Sequence, residues 1–150
     1  MGWARRIVPP GWLLVALMSA VALHHWLPLA QLWHPPLCWL GALALGAGLI
    51  LAVFGIGAFR RAGTPVIPFE PSTALVTTGV YRFTRNPMYL GLSLILTGTA
   101  VMLGSVGAFL PLPLLVWILR SGYIQAEERF LEELFGGDYL RYKNLVRRWM

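Results

Sequence analysis

Two polar clusters break into an otherwise apolar chain of 150 residues, and both carry side chains suited to gripping a charged ligand. The first is Tyr81-Arg82-Phe83-Thr84-Arg85-Asn86-Pro87-Met88-Tyr89. Pro87 suits the first turn of a helix, where its missing N–H is no loss, and Asn86 suits the cap before it. One reading is a helix start with Arg and Tyr anchored at a membrane interface. The other is that the free amides of a helix N-terminus, Asn86 and two aromatic rings form one wall of a polar pocket. The second cluster lies in Gly122 to Phe135, where Glu127 and Glu128 stand four and five residues beyond Tyr123. Such a charged face is ordinarily just solvated. Directly after an apolar span, however, a partly buried carboxylate requires a partner, and Arg85 or a polar ligand is expected beside it.

The elements that must position these clusters are membrane helices. Hydrophobic residues make up 57% of the chain and charged ones 12%, a surplus of apolar surface that needs lipid. A crossing helix takes about 20 apolar residues. Gly11 to Leu32 and Leu37 to Phe59 meet that length and are separated by the break His34-Pro35-Pro36. Met88 to Tyr123 carries one charge, Arg120, and is too long for one crossing. Gly104-Ser105-Val106-Gly107 supplies a turn near its middle, and Pro111 and Pro113 argue against a continuous helix. The spacing predicts an all-α membrane protein of about four transmembrane helices, the last two a hairpin.

Charge parity supports four crossings. Arg5 and Arg6, Arg60 and Arg61, and the group Arg129, Arg141, Lys143, Arg147 and Arg148 then share the cytoplasmic side, as do both termini, in a cell membrane of bacterial inner type. A cleavable signal peptide is the competing reading of Arg5, Arg6 and Ala20-Val21-Ala22, but its removal spoils that parity. One domain is expected, with residues 1–62 as two scaffold spans and 63–150 as the half that does chemistry. All six carboxylates lie from Glu70 to Asp138.

Between the spans, Gly63 to Asn86 reads as an ordered loop, broken by Thr64-Pro65, Ile67-Pro68 and Glu70-Pro71 and carrying apolar residues able to pack. Gly136-Gly137 stops the helix of Glu127. Asp138 caps a last helix, whose Tyr139, Tyr142, Leu145, Val146 and Trp149 stand opposite Arg141, Lys143, Arg147 and Arg148, the pattern of a helix lying on headgroups. Cys38 has no partner in the chain and reads as a small buried hydrophobe. The net charge of +6 has no soluble basic domain to carry it, which disfavours nucleic acid.

In order and spacing, Thr77-Thr78-Gly79-Val80-Tyr81, Arg85-Asn86-Pro87-Met88-Tyr89-Leu90-Gly91, Glu127-Glu128 and Phe135-Gly136-Gly137-Asp138-Tyr139-Leu140-Arg141-Tyr142, followed by Val146 and Arg148-Trp149, resemble one superfamily. It is that of the isoprenylcysteine carboxyl methyltransferases and phospholipid methyltransferases, over about Thr73 to Trp149. The resemblance implies an all-helical membrane enzyme that uses S-adenosyl-L-methionine without a Rossmann fold and methylates a lipid-like acceptor. It implies cofactor contacts from Thr73, Ala74, Leu75, Val76, Tyr81, Asn86, Pro87, Met88, Tyr89, Glu127 and Glu128. The substrate side falls to Arg85, Arg120 and Tyr123. Two departures stand out: Asn86 replaces the His of the carboxyl methyltransferases, and Tyr123 replaces an Arg four residues ahead of Glu127, with Arg120 one turn further back. Asn-Pro-Met-Tyr is closer to the phospholipid branch, and the acceptor stays open. No metal is expected, since His24, His25 and His34 all lie outside the matching region.

Two other classes compete. A small four-span transporter needs an ionisable residue at mid-membrane, and spans one and two offer only His24 and His25. A haem protein has three histidines, His24, His25 and His34, but all near one rim.

Overall fold

Pro9 and Pro10 fill the first turn of α1 (Pro9–Trp26), where a missing backbone donor does no harm. The structure, a computed structural model, describes residues 7–33, 36–66 and 72–149. Arg5, Arg6, His34, Pro35 and the stretch 67–71, with Glu70, lie outside the described residues. α1 ends earlier than the apolar stretch does. Pro28 disfavours helix at Leu27, which leaves the helical region at φ −143° and ψ 62°, and Leu29 takes a left-handed φ of 61°. Residues 28–32 run back along the turn after α3: Leu32 donates to the Gly104 carbonyl at 2.8 Å, and Val106 donates to Ala30 at 3.0 Å. His24 Nδ1 pairs with the buried Ser105 hydroxyl at 2.9 Å.

After a 3₁₀ turn at Leu37–Trp39, α2 (Leu40–Arg61) packs along α3 (Pro87–Leu103). The two are antiparallel, since Gly41 meets Gly98, Gly48 meets Gly91 and Gly55 meets Met88. Glycine is required at the middle of this seam: a Cβ on Gly48 would sit 2.6 Å from the Gly91 carbonyl oxygen. Small residues at such spacing let two backbones approach closely, as helices in lipid prefer.

Gly104, at φ 70°, ends α3 in a left-handed cap, and the expected turn at 104–107 reverses the chain. α4 (Val106–Phe109), α5 (Pro111–Ile118), a π-helical segment Leu119–Ile124 and α6 (Gln125–Phe135) then follow as one helical run. Pro111 and Pro113 do not part the run as the sequence suggests. α5 begins at Pro111, so both prolines fall in its first turn. α7 (Gly137–Leu145) completes the described helices after Gly136, whose φ is 51°.

The fold is all-α among the described residues, and two runs, Leu37–Arg61 of 25 residues and Val106–Phe135 of 30, are long and apolar enough to cross a membrane. α1 and α3 are shorter, at 18 and 17 residues. Leu43, Ile50, Val53 and Phe54 of α2 and Leu14, Met18 and Val21 of α1 stand exposed, an outward apolar surface that suits lipid. Inward, Ala16 and Ala20 of α1, Leu96 of α3 and Leu115, Leu119 and Ile124 make the core. The last helix departs from expectation. Tyr139 and Tyr142 are buried, turned into the protein and not onto headgroups, while Leu145 is left exposed.

Candidate active site

The start of α3 and the start of α6 meet at the same end of the molecule. Tyr89 donates to Glu127 Oε1 at 2.5 Å, and its ring lies 6.2 Å from that of Tyr123. Glu128, 6% exposed, is instead taken by two guanidinium groups. Arg148 grips it in two bonds, Nε to Oε1 at 2.9 Å and Nη2 to Oε2 at 2.6 Å. Arg85 Nη2 stands 3.4 Å from Oε1. The expected partnership between Arg85 and the carboxylate pair is therefore present, with Glu128 and not Glu127.

Between these walls lies a cavity of about 60 Å³ whose polar groups, charged and phenolic, stand on a largely apolar lining. Of the residues singled out in the sequence, Ala74, Leu75, Val76, Tyr81 and Arg85 line it, as do Asn86, Met88, Tyr89, Glu127 and Glu128. Thr73 stays outside: its hydroxyl donates to Gly63 O at 3.1 Å and its amide to Thr64 Oγ1 at 3.0 Å, fastening the connector to the end of α2. Pro87 is buried as the first residue of α3. Asn86 occupies the cap position but its side chain does not cap; its amide donates to the Arg148 carbonyl at 3.1 Å. Tyr123 is buried, accepts from Trp12 Nε1 at 3.1 Å and donates to the Ile7 carbonyl, so its hydroxyl ties α1 to the π-helical segment. Arg120 is exposed and lines neither this cavity nor the one beside it.

Three buried donors facing this space have no hydrogen-bond partner among the described residues: the Tyr81 hydroxyl and Arg85 Nε and Nη1. Leaving such a group unpaired costs about 1–3 kcal/mol, more when charged, so three together make this a candidate site for a ligand that accepts hydrogen bonds. Tyr81, Tyr139 and Tyr142 all stay protonated here. Burial, reinforced by the Glu127 charge, pushes the Tyr81 phenol far up. Burial raises Tyr142. It also brings Tyr139 to about 12, with Glu128 adding and Arg85 opposing. Tyr142 donates to the Tyr81 carbonyl at 2.7 Å and so fixes the loop that presents the unpaired phenol.

A second, apolar cavity of about 310 Å³ adjoins the first. They share Phe59, Ser72, Met88, Tyr89, Glu127 and Leu131. Pro9 and Pro10 of α1, Ala52 and Ile56 of α2, Leu92 of α3 and Phe130 of α6 also line it, with Val8, Pro65 and Val66 beside them. Sequence reasoning missed Phe59 and Ile56, whose apolar identity says nothing of the cavity they face, and missed Tyr139, Tyr142 and Arg148, whose pattern looks like a surface helix and tail. No group of three or more His, Cys, Asp and Glu is placed to hold a metal among the described residues.

Residues 37–138, well over half the chain, match the family model of phospholipid methyltransferases. The chain belongs to this family. Among curated relatives, protein-S-isoprenylcysteine O-methyltransferase A of Arabidopsis thaliana is 39% identical over 80 residues, 53% of this chain and 41% of that one. The protein-S-isoprenylcysteine O-methyltransferase of Rattus norvegicus is 32% identical over 142 residues, 85% of this chain and 49% of its own length. An uncharacterized protein of Haemophilus influenzae is 41% identical over 63 residues, 42% of this chain and the whole of the relative. The chain thus spans half or less of the length of the two named enzymes. No solved structure matches it. Within this phospholipid methyltransferase family member, the matched region contains the first cavity's α3 wall and both glutamates.

Proposed function

We propose that the protein is a membrane-embedded methyltransferase that uses S-adenosyl-L-methionine and methylates a lipid or other apolar acceptor drawn from the bilayer. The observation that carries this reading is the shared wall: Tyr89, Glu127 and Met88 face both a cavity with unpaired cationic donors and an apolar cavity large enough for part of a lipid-like molecule. Family membership and the names of the plant and rat relatives point the same way.

The residues present fit the cofactor, whose methionine end carries a carboxylate and an ammonium and whose sulfonium, when bound, supplies an electrophilic methyl group. Arg85 Nε and Nη1 and the Tyr81 hydroxyl are the donors for the carboxylate. Glu127, held by Tyr89, accepts from the ammonium or from ribose hydroxyls. The ring of Tyr89 offers a π face near the positive centre, and residues 74–76 of the connector line the same space. Methyl transfer is an in-line displacement, so the protein's work is alignment and exclusion of water. The apolar residues of the second cavity, Ile56 and Leu92 among them, orient the acceptor.

The membrane arrangement belongs to the same reading. Four crossings, by α1, α2, α3 and the run beginning at Val106, agree with the antiparallel pairing of successive helices, which brings Arg60, Arg61 and the basic tail to the site's end. That end is cytoplasmic, with both termini, in a membrane of bacterial inner type. The whole chain is one domain, in which residues 63–150 supply the polar groups. Whether oxygen or nitrogen is methylated is decided by the acceptor's own chemistry.

Purified protein in detergent or lipid nanodiscs is titrated with S-adenosylhomocysteine. Binding is expected, weakened about tenfold or more by Glu127→Ala and by Tyr81→Phe. Absence of binding across several lipid compositions would sink the proposal.

A further inference from the structure

The described tail beyond α7 is tied into the cavity. Val146 turns extended, and the following residues lie against Thr84–Asn86. The Arg85 amide donates to the Arg147 carbonyl at 3.0 Å. The Arg148 carbonyl accepts from Thr84 Oγ1 at 3.0 Å and from Asn86 Nδ2 at 3.1 Å. Trp149 packs on the core cluster that contains Tyr89 and Tyr123. One residue therefore holds both walls: Arg148 binds the start of α3 through its backbone and α6 through its guanidinium.

The guanidinium's effect is electrostatic as well as mechanical. Glu128 is buried, with two oxygens and two competing cations. Arg148 takes both oxygens in a bidentate grip, and Arg85, whose side chain is 9% exposed, is left with one longer contact to Glu128 and an interaction with the Tyr139 hydroxyl, while its Nε and Nη1 have no partner among the described residues. Take Arg148 away and the buried carboxylate must find its second partner in Arg85, because an unpaired buried charge is expensive. Arg85 would then turn its fork onto Glu128 and away from the cavity.

We infer that Arg148 is a positioning residue which satisfies Glu128 so that Arg85 keeps Nε and Nη1 free for the carboxylate of the bound cofactor. This rests on the methyltransferase reading and deepens it, assigning a positioning role to a tail residue that lies beyond residues 37–138 of the family-model match. Neutralising Glu128 by other means should make Arg148 dispensable.

The test uses the full chain in nanodiscs and two probes, S-adenosylhomocysteine and its decarboxylated analogue, which lacks the carboxylate. Arg148→Gln should weaken S-adenosylhomocysteine about tenfold or more and change affinity for the analogue by less than about threefold. Adding Glu128→Gln to that variant should restore S-adenosylhomocysteine to within about threefold of the parent. Arg148→Lys, which still neutralises Glu128, should lose less than Arg148→Gln. If Arg148→Gln alone does not fold, the double variant, in which no buried carboxylate is left short of a partner, decides the matter by whether it binds. The inference is overturned if Arg148→Gln binds S-adenosylhomocysteine as the parent does, if both probes weaken equally, or if Glu128→Gln gives no rescue. A parent protein that binds neither probe overturns the cofactor reading itself, an outcome distinct from these.

Discussion

Replacing Tyr89 by Phe removes one oxygen from the wall between the two cavities and little else. Tyr89 is 5% exposed and its ring lies tilted against that of Tyr123, contacts that phenylalanine retains, whereas the hydroxyl donates to Glu127 Oε1 at 2.5 Å. A hydrogen bond to a charged partner contributes about 1.5–3 kcal/mol. At about 1.4 kcal/mol per factor of ten, the complete loss of that orientation is worth about 10- to 150-fold in affinity for a ligand that Glu127 grips. Part of the loss is shared with the unliganded fold, so the expected effect on S-adenosylhomocysteine is near the lower end, about tenfold. Calorimetric titration in nanodiscs reads it, with thermal unfolding of the ligand-free protein measured alongside. An affinity within about twofold of the parent, while Glu127→Ala still abolishes binding, would show that Tyr89 does not hold Glu127 for the ligand and would refute the reasoning.

Three further outcomes are expected. Tyr139, raised to about 12 by burial, stays protonated in the fold while the unfolded chain ionises near the ordinary tyrosine value. Its contribution to stability is therefore full below about pH 10 and lost as pH rises from there toward 12; Tyr139→Phe should flatten the fall in melting temperature over that window, and an unchanged slope contradicts the assignment. Gly48→Leu forces side-chain atoms into the Gly91 carbonyl and should cost about 1–3 kcal/mol or more, read as a lower melting temperature in detergent, whereas the same change at Gly46, where a Cβ meets nothing within 4 Å, should be nearly neutral. Ile56→Trp fills the apolar cavity and should lower kcat/KM for the acceptor at least about tenfold while S-adenosylhomocysteine affinity stays within about threefold; loss of both would mean that the two cavities are not separate sites.

Much of the site was legible because its parts are local. Pro87 marks the first turn of α3, Gly104 marks the turn that follows it, and the placement of Glu127 and Glu128 just beyond an apolar run already demanded a partner such as Arg85. What spacing cannot show is which distant groups close on them. Asn86 has the identity of a cap, yet its amide goes to a carbonyl 62 residues away, a contact made only once the tail folds over α3. Tyr139 and Tyr142 form an amphipathic pattern that fits a headgroup layer and a protein interior equally well; the buried Arg85–Glu128 pair and the Tyr81 carbonyl decide for the interior. The family resemblance alone puts Arg120 on the substrate side, one turn back from the position that Tyr123 occupies, but the helix turns it outward while Tyr123 is drawn in against Trp12. Pro28 ends α1 well before its apolar run ends, and the leftover strand serves to brace the 104–107 turn at the opposite end from the site.

Transfer of a labelled methyl group from S-adenosyl-L-methionine into a lipid extract by the purified, membrane-reconstituted protein tests the central claim most directly. The account predicts label in an apolar product, abolished by Glu127→Ala and reduced by Ile56→Trp. Saturating cofactor with no label in any lipid fraction, or label unaffected by Glu127→Ala, would contradict it.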